Sequence, residues 1–382
     1  MMQIATIAPL TGIRFIAAIF VFNAHIITPT SAGSVASSLS FAGNDWMTMF
    51  FMLSGLVLTW NYETALSGPI RGRALRSYFV ARFARIYPLY LVALIAAAVA
   101  LSIRSGEFYT TVANPEFALH VFALQTWSPD LAVAYGYNAP GWSVGVEIFL
   151  YALFPLLLIP FRSIHDKPWA LVAVGVASIA VVVALTAVLV IAGNAELPRE
   201  DPWSAHRWLY RTPLTRIFDF VLGMSLGHLI IATKNRDFTH LGRGAQIVGV
   251  IFVVSAMLIP SVSASVWSIA AAVMAPFALL LLGLAWAPTT ALGRFLGTRT
   301  MVFLGECSYA FYLFHLIVIT IIGQPSDGLV SWVSIWTLAF VLTAIVAIAA
   351  HLFIERPART ALRRSLDPRS SRRRESDPSA PA

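Results

Sequence analysis

The apolar residues of this 382-residue chain come in runs of about 18 to 24, the length that crosses the hydrocarbon core of a bilayer. Such runs recur near 8–28, 46–61, 80–103, 141–161, 169–192, 213–232, 244–260, 265–287, 301–322 and 331–354. In lipid every backbone polar group must be satisfied within the protein, and helices do this segment by segment. The expected fold is therefore all-α, a polytopic transmembrane bundle of about ten spans. Composition agrees, since 58% of residues are hydrophobic and only 12% are charged, against roughly 25% charged in soluble domains. The expected organisation is a membrane domain over 1–360 and a basic, disordered cytoplasmic tail over 361–382, rich in Arg, Ser and Pro. The stretch Phe117 to Trp127 is apolar but too short to span, so it is expected at the interface or re-entering the bundle.

Basic residues set the expected orientation, because cytoplasmic loops carry an excess of Lys and Arg. Arg71, Arg73 and Arg76 fall between spans two and three, with Arg82 and Arg85 in the first turns of span three; Arg162 and Lys167 between four and five; Lys234, Arg236 and Arg243 between six and seven; Arg294 and Arg299 between eight and nine. The alternate loops hold Arg104, Arg199, Arg207 and Arg211. Both termini are thus expected in the cytoplasm. The net charge of +8 reads as a topology signal and a contact to anionic lipid, not as a nucleic-acid footprint. The one cysteine, Cys307, can form no internal disulfide and sits in an apolar stretch as a small buried side chain. Arg14 interrupts what would be the apolar core of a signal peptide, so the first run is read as a retained span.

An ionisable side chain inside a span costs about 2.5 to 3.5 kcal/mol on insertion scales and marks a candidate site. In span one, Arg14 and His25 lie eleven residues apart, on one face and roughly 16 Å apart along the axis. The competing reading has Arg14 reaching the headgroups and His25 bonded near the outer interface. In span four, Ser143, Glu147 and Tyr151 recur every four residues on one face, with an acid at the centre. His25 and Glu147 both fall in the outer half and could meet across the bundle. Span three opens with Arg82 and Arg85 on one face, two forked guanidiniums suited to a phosphate, or simply positive-inside anchors. Span nine carries Ser308, Tyr312 and His315 as a polar stripe, which packing also explains in part.

These stretches resemble the acyltransferase type 3 family of membrane acyltransferases, which includes bacterial O-antigen and other glycan O-acetyltransferases. The resemblance is carried by the Arg14 to His25 spacing in LTGIRFIAAIFVFNAH, and by FFMLSGLVLT, RFARIYPLY, WSVGVEIFLYALFP, SYAFYLFH and the closing FIERPAR, in the family's order. It implies an enzyme of the bacterial cytoplasmic membrane that moves an acyl group, commonly acetyl, from acyl-CoA to a hydroxyl of a carbohydrate or glycolipid. It further implies His25 as the catalytic histidine, with Arg14 in the same motif, Arg82 and Arg85 at the donor phosphates, and Trp142, Ser143 and Glu147 at the central site. Leu150 departs from the aromatic residue usual before the tyrosine.

Chemistry assigns further roles as expectations. A hydroxyl needs a base as it attacks a thioester, and His25 is suited to that by its ordinary pKa. Glu147 or Asp45 would orient or charge-stabilise the imidazole, as an acid does in a Ser-His-Asp triad. Ser54, Ser143 and Tyr312 are candidate oxyanion donors. No histidines pair with a carboxylate at metal-ligand spacing, so no metal and no permanently bound cofactor is expected, acyl-CoA being a substrate. The rival class is a proton-coupled transporter or exporter, which would also bury Arg, His and Glu, although no matched Gly/Pro-broken segments stand out in the two halves.

Overall fold

The computed structural model describes residues 7–29, 33, 37, 38, 40, 42–66, 72–106, 114–259, 265–268, 271–326 and 328–366. Ten long helices order the chain: α1 Ala8–Asn23, α2 Trp46–Leu66, α3 Gly72–Ser105, α4 Gly141–Phe161, α5 Pro168–Ile191, α6 Pro213–Thr233, α7 Thr239–Leu258, α8 Ala271–Trp286, α9 Arg299–Ile322 and α10 Leu329–Ala350. Seven of them (α3 to α7, α9 and α10) are long and apolar enough to cross a membrane; α1 and α8 are shorter apolar helices. The tenth, α2, is 21 residues long but ends in the polar run Asn61, Tyr62, Glu63 and Thr64. Among the described residues there is no strand. The chain is an integral membrane protein.

Hydropathy alone places the start of α3 too late. The helix begins at Gly72 and runs 34 residues through Pro88, about 51 Å at 1.5 Å per residue, well beyond a hydrocarbon core of about 30 Å. Its first turns, with Arg73 and Arg76 exposed, form a charged overhang. At the other end of the chain a π turn, His351–Glu355, follows α10 and leads into a helix over Arg356–Leu366. That helix packs against α3. The chain is thus helical past the expected tail boundary at 360, and residues 367–382 lie outside those described.

The centre of the bundle is built on backbone-to-backbone approach. A Cβ on Gly223 of α6 would sit 1.8 Å from the Met52 carbonyl oxygen, and one on Gly55 of α2 would sit 2.1 Å from that of Phe220. Such contacts replace the hydrophobic drive that is absent between helices in lipid. Helices α6 and α9 are mostly buried, while α5 and α10 turn Val172, Val176, Val188, Val330, Val341 and Ile345 outward, as lipid-facing helices must.

Two ends of the bundle matter below. The start of α1, the end of α2, the start of α3 and the end of α4 share one end, where the Arg162 guanidinium of the α4 cap donates to the Leu66 carbonyl. The end of α1, the start of α4 and the end of α9 share the other. There the segment between α3 and α4 forms a short helix, Glu116–Val121, and a 3-10 turn, Gln125–Trp127. It is stitched to α3 by the Tyr87 and Tyr90 hydroxyls, which donate to the Val121 and His120 carbonyls at 2.6 and 2.5 Å. The side chain of Arg211, fully buried, closes the same cap by donating to the Ser128 and Pro129 carbonyls. A residue that sequence counts as an ordinary loop charge is therefore a structural clamp.

Candidate active site

Helical spacing brings the polar faces of five helices to one narrow cavity at the first end. Arg14 of α1, Ser54 of α2, Arg82 and Arg85 of α3, Ser143, Glu147 and Tyr151 of α4, and Ser308, Tyr309 and Tyr312 of α9 line it. Its free volume is about 80 Å³. Glu147 accepts hydrogen bonds from the Ser54 hydroxyl at 3.2 Å and from the Tyr151 hydroxyl. The Arg82 guanidinium donates to the Tyr62 hydroxyl at 3.1 Å and lies over the Tyr62 and Tyr151 rings. Arg14 feels the charges of Arg85, Glu147 and Glu355, and Arg85 those of Glu355 and Glu147. Three guanidiniums thus face one cavity with one carboxylate among them, an arrangement that attracts anions.

A wider vestibule, of about 770 Å³, occupies the other end and is lined by His25, Asn44, Tyr135, Trp142, Arg199, His206, Tyr210 and Tyr312, among others. Its wall is aromatic. Trp142 lies 4.8 Å from Tyr210 and 6.4 Å from Tyr135 between ring centroids, and His206 lies 5.2 Å from Tyr210 and 6.1 Å from Tyr135. The Tyr135 hydroxyl is 3.3 Å from Nε2 of His206. Burial pushes the His206 imidazole down to about 4, with Arg211 adding to the effect, so this ring is neutral near pH 7. Met47 and Tyr312 line both cavities and form the wall between them. The Tyr312 hydroxyl accepts from Ser143 at 2.8 Å and stands 3.1 Å from the Pro140 carbonyl.

The polar residues expected along α1, α3, α4 and α9 face these two cavities, except His315, which lines neither and is buried against His25, and their partners differ from those expected. His25 does not meet Glu147, whose carboxylate is held by Ser54 and Tyr151 on the far side of the Tyr312 wall. Nδ1 of His25 is 2.7 Å from the Val21 carbonyl and 3.3 Å from Nε2 of His315. Nor does Asp45 orient the ring: it is buried beside Ser268 and in the field of Arg216. Opposed helices put His25 and Glu147 at different depths, which sequence periodicity cannot register.

A further charged pair was not singled out from sequence. Arg216 of α6 is fully buried, donates to Asp219 at 2.8 Å, to the Tyr210 carbonyl at 2.7 Å and to the Thr48 hydroxyl at 3.0 Å, and lies over Phe51 and Tyr210. Its signal was present as two opposite charges three residues apart in an apolar run. Glu355, inside the FIERPAR stretch, is likewise buried and accepts from His351 Nδ1 at 2.8 Å.

Comparison with known proteins agrees with this architecture. The sequence model of the acyltransferase type 3 family, described as an acyltransferase domain, matches residues 7–352. The chain is 29% identical over 375 residues to acyltransferase MdmB of Streptomyces mycarofaciens, covering 93% of this chain and 92% of that protein. It is 25% identical over 372 residues to the putative peptidoglycan O-acetyltransferase YrhL of Bacillus subtilis (strain 168), covering 92% of this chain and 54% of that protein. No solved structure matches the chain. Family, relatives and helical architecture together identify this protein as a membrane-embedded acyltransferase that belongs to the acyltransferase type 3 family.

Proposed function

We propose that this enzyme transfers an acyl group, acetyl in the simplest case, from an acyl-CoA thioester to a hydroxyl of a carbohydrate or glycolipid acceptor, with His25 as general base. The observation that carries the reading is the division of the interior into an arginine-lined cavity and a histidine-bearing vestibule that share the Tyr312 wall. An anionic donor suits the first and a hydroxyl-rich acceptor suits the aromatic second. The name of the Bacillus subtilis relative, a putative peptidoglycan O-acetyltransferase, supports a sugar as acceptor. The positive-inside rule puts the arginine end in the cytoplasm of a bacterial cell, where acyl-CoA is made.

In this scheme Arg82 and Arg85 take the donor phosphates through paired charge-assisted hydrogen bonds, and the thioester carbonyl reaches the shared wall. His25 takes the proton of the acceptor hydroxyl as its oxygen attacks the carbonyl carbon. Collapse of the tetrahedral intermediate breaks the C–S bond, the new ester remains on the acceptor, and the thiolate recovers the proton to leave as CoA. Of the candidate oxyanion donors, Ser54 is turned to Glu147 in the donor cavity, whereas Ser143, which donates to Tyr312, and Tyr312, which donates to the Pro140 carbonyl, stand at the shared wall and are the better placed. Arg14, beside Glu147, tunes the charge of the donor cavity.

Membranes carrying the protein, labelled acetyl-CoA and an extract of host glycans and lipids provide the test. Wild type is expected to place label in an alkali-labile ester, and His25→Ala to lower the rate by about 10²- to 10⁴-fold at equal protein level. Unchanged transfer by His25→Ala would remove the base assignment. No label from any of several acyl donors would remove the enzyme's proposed donor class.

A further inference from the structure

Two carbonyls fix the protonation of two histidines. The Val21 carbonyl oxygen, 2.7 Å from Nδ1 of His25, can only accept, so that nitrogen carries a hydrogen. The Tyr312 carbonyl oxygen, 2.5 Å from Nδ1 of His315, can only accept as well, so His315 also carries its hydrogen on Nδ1. Neutral His315 then presents the bare lone pair of Nε2, and this lone pair lies 3.3 Å from Nδ1 of His25. The His25 hydrogen is shared between the Val21 carbonyl and His315, and the ring nitrogen left for chemistry is Nε2.

We propose that His315 is the positioning residue of the reaction: a neutral imidazole that holds His25 in the tautomer whose Nε2 accepts the proton of the acceptor hydroxyl. The inference rests on the reading of His25 as the base and adds what sets its working nitrogen. The surroundings leave this task to His315. Among the described residues lining the vestibule there is no carboxylate; the ionisable neighbours are Arg199, His206, Tyr135, Tyr210 and Tyr312. His315 is 1% exposed and packs edge-on to Phe22, with its ring centroid 4.9 Å from that of His25. A second clasp holds the backbone there: Gln324 donates to the His25 carbonyl and accepts from the Ile27 amide, both at 3.0 Å.

The dyad differs from a histidine backed by an acid. When His25 takes a proton on Nε2, its Nδ1–H becomes the stronger donor and the bond to His315 tightens, but no negative charge is present to hold the imidazolium. The proton is therefore passed readily to the departing thiolate, which favours turnover over retention of the charge.

The tautomer can be read without any acceptor. Protein labelled with 15N-histidine in lipid nanodiscs, with assignments from His25→Asn and His315→Gln, is expected to show His25 protonated on Nδ1 and bare on Nε2 at neutral pH. A His25 signal protonated on Nε2 alone would overturn the proposal. Kinetics gives the second arm, using the acceptor fraction labelled by wild type. His315→Leu, which cannot accept, is expected to lower kcat about 10²-fold with donor KM unchanged. His315→Gln, whose amide oxygen can accept, is expected to stay within about 10-fold of wild type. His315→Asp is expected to move the acid limb of the kcat/KM profile up by about one pH unit, because a carboxylate favours the imidazolium. A role in packing alone predicts that Leu is tolerated better than Gln and that the limb stays in place, and that result sinks the proposal. Failure of the reading beneath it is distinct, since it appears as full activity in His25→Ala.

Discussion

The two cavities on either side of Tyr312 are opposites in size and in chemistry. The arginine cavity holds about 80 Å³ and is dominated by fixed charge, whereas the vestibule holds about 770 Å³ and offers aromatic rings and imidazoles, with Arg199 as its one guanidinium among the described residues. In the proposed reaction the narrow charged slot would take the anionic donor and the broad aromatic bowl the hydroxyl-bearing acceptor. Such a division of labour would let one protein bind two unlike substrates without either competing for the other's contacts. It would also make the wall the place where they meet.

The sharpest way to break the contrast is to empty the slot of charge. Arg82→Gln with Arg85→Gln is expected to raise the donor KM about 10³-fold, from two charged hydrogen-bonding groups worth about 2 kcal/mol each, and to leave the acceptor KM unchanged. Equal changes in both constants, in steady-state transfer assays, would show that the two cavities are one site. Glu147→Gln comes next. Its carboxylate sits among three guanidiniums, so the amide is expected to lower stability by about 2 kcal/mol in thermal melts, less than a fully buried pair because the cavity admits water. A smaller effect is expected at the wall: Tyr312→Phe should cut kcat about 10-fold while sparing both KM values, less than full loss of an oxyanion donor because the Ser143 hydroxyl stands beside it.

The two ends also separate by pH. His206, on the vestibule side, has a folded value of about 4 because of burial, below its ordinary value of about 6.5. The unfolded chain therefore binds this proton first, so the associated stability is present above about pH 6.5 and is lost as pH falls toward 4. His206→Gln is expected to flatten that part of the melting-temperature profile. A profile unchanged by the substitution would show that the vestibule is not the pH-sensitive end.

What could be read from sequence follows from the range of the signals. The span 141–161 agrees with α4 to the residue, because an apolar run bounded by Pro140 and Arg162 is a local property. The same is true of Ser143, Glu147 and Tyr151, which share a face through the helical repeat alone. The start of α3 was missed because its first turns are charged and helical at once, and a hydropathy window registers only the charge. Arg216 and Asp219 escaped for the reverse reason, since two charges that satisfy each other leave the run around them apolar. The partner of His25 lies 290 positions away, and no periodicity within one helix carries that distance.

The π turn at His351–Glu355 has a consequence for how the gene can vary. A π turn holds one residue more than the α-helix it interrupts, so it behaves as an accommodated insertion. Loss of a single codon there would restore the α repeat and leave the helix downstream close to its present orientation, because the turn has already absorbed the extra residue. The spacing of His351 and Glu355 would fall from four residues to three, whereas the 3.0 Å bond of Arg356 to Glu306 would persist. Lineages of this protein are therefore expected to differ in length by one residue here without losing the contacts of the helix that follows.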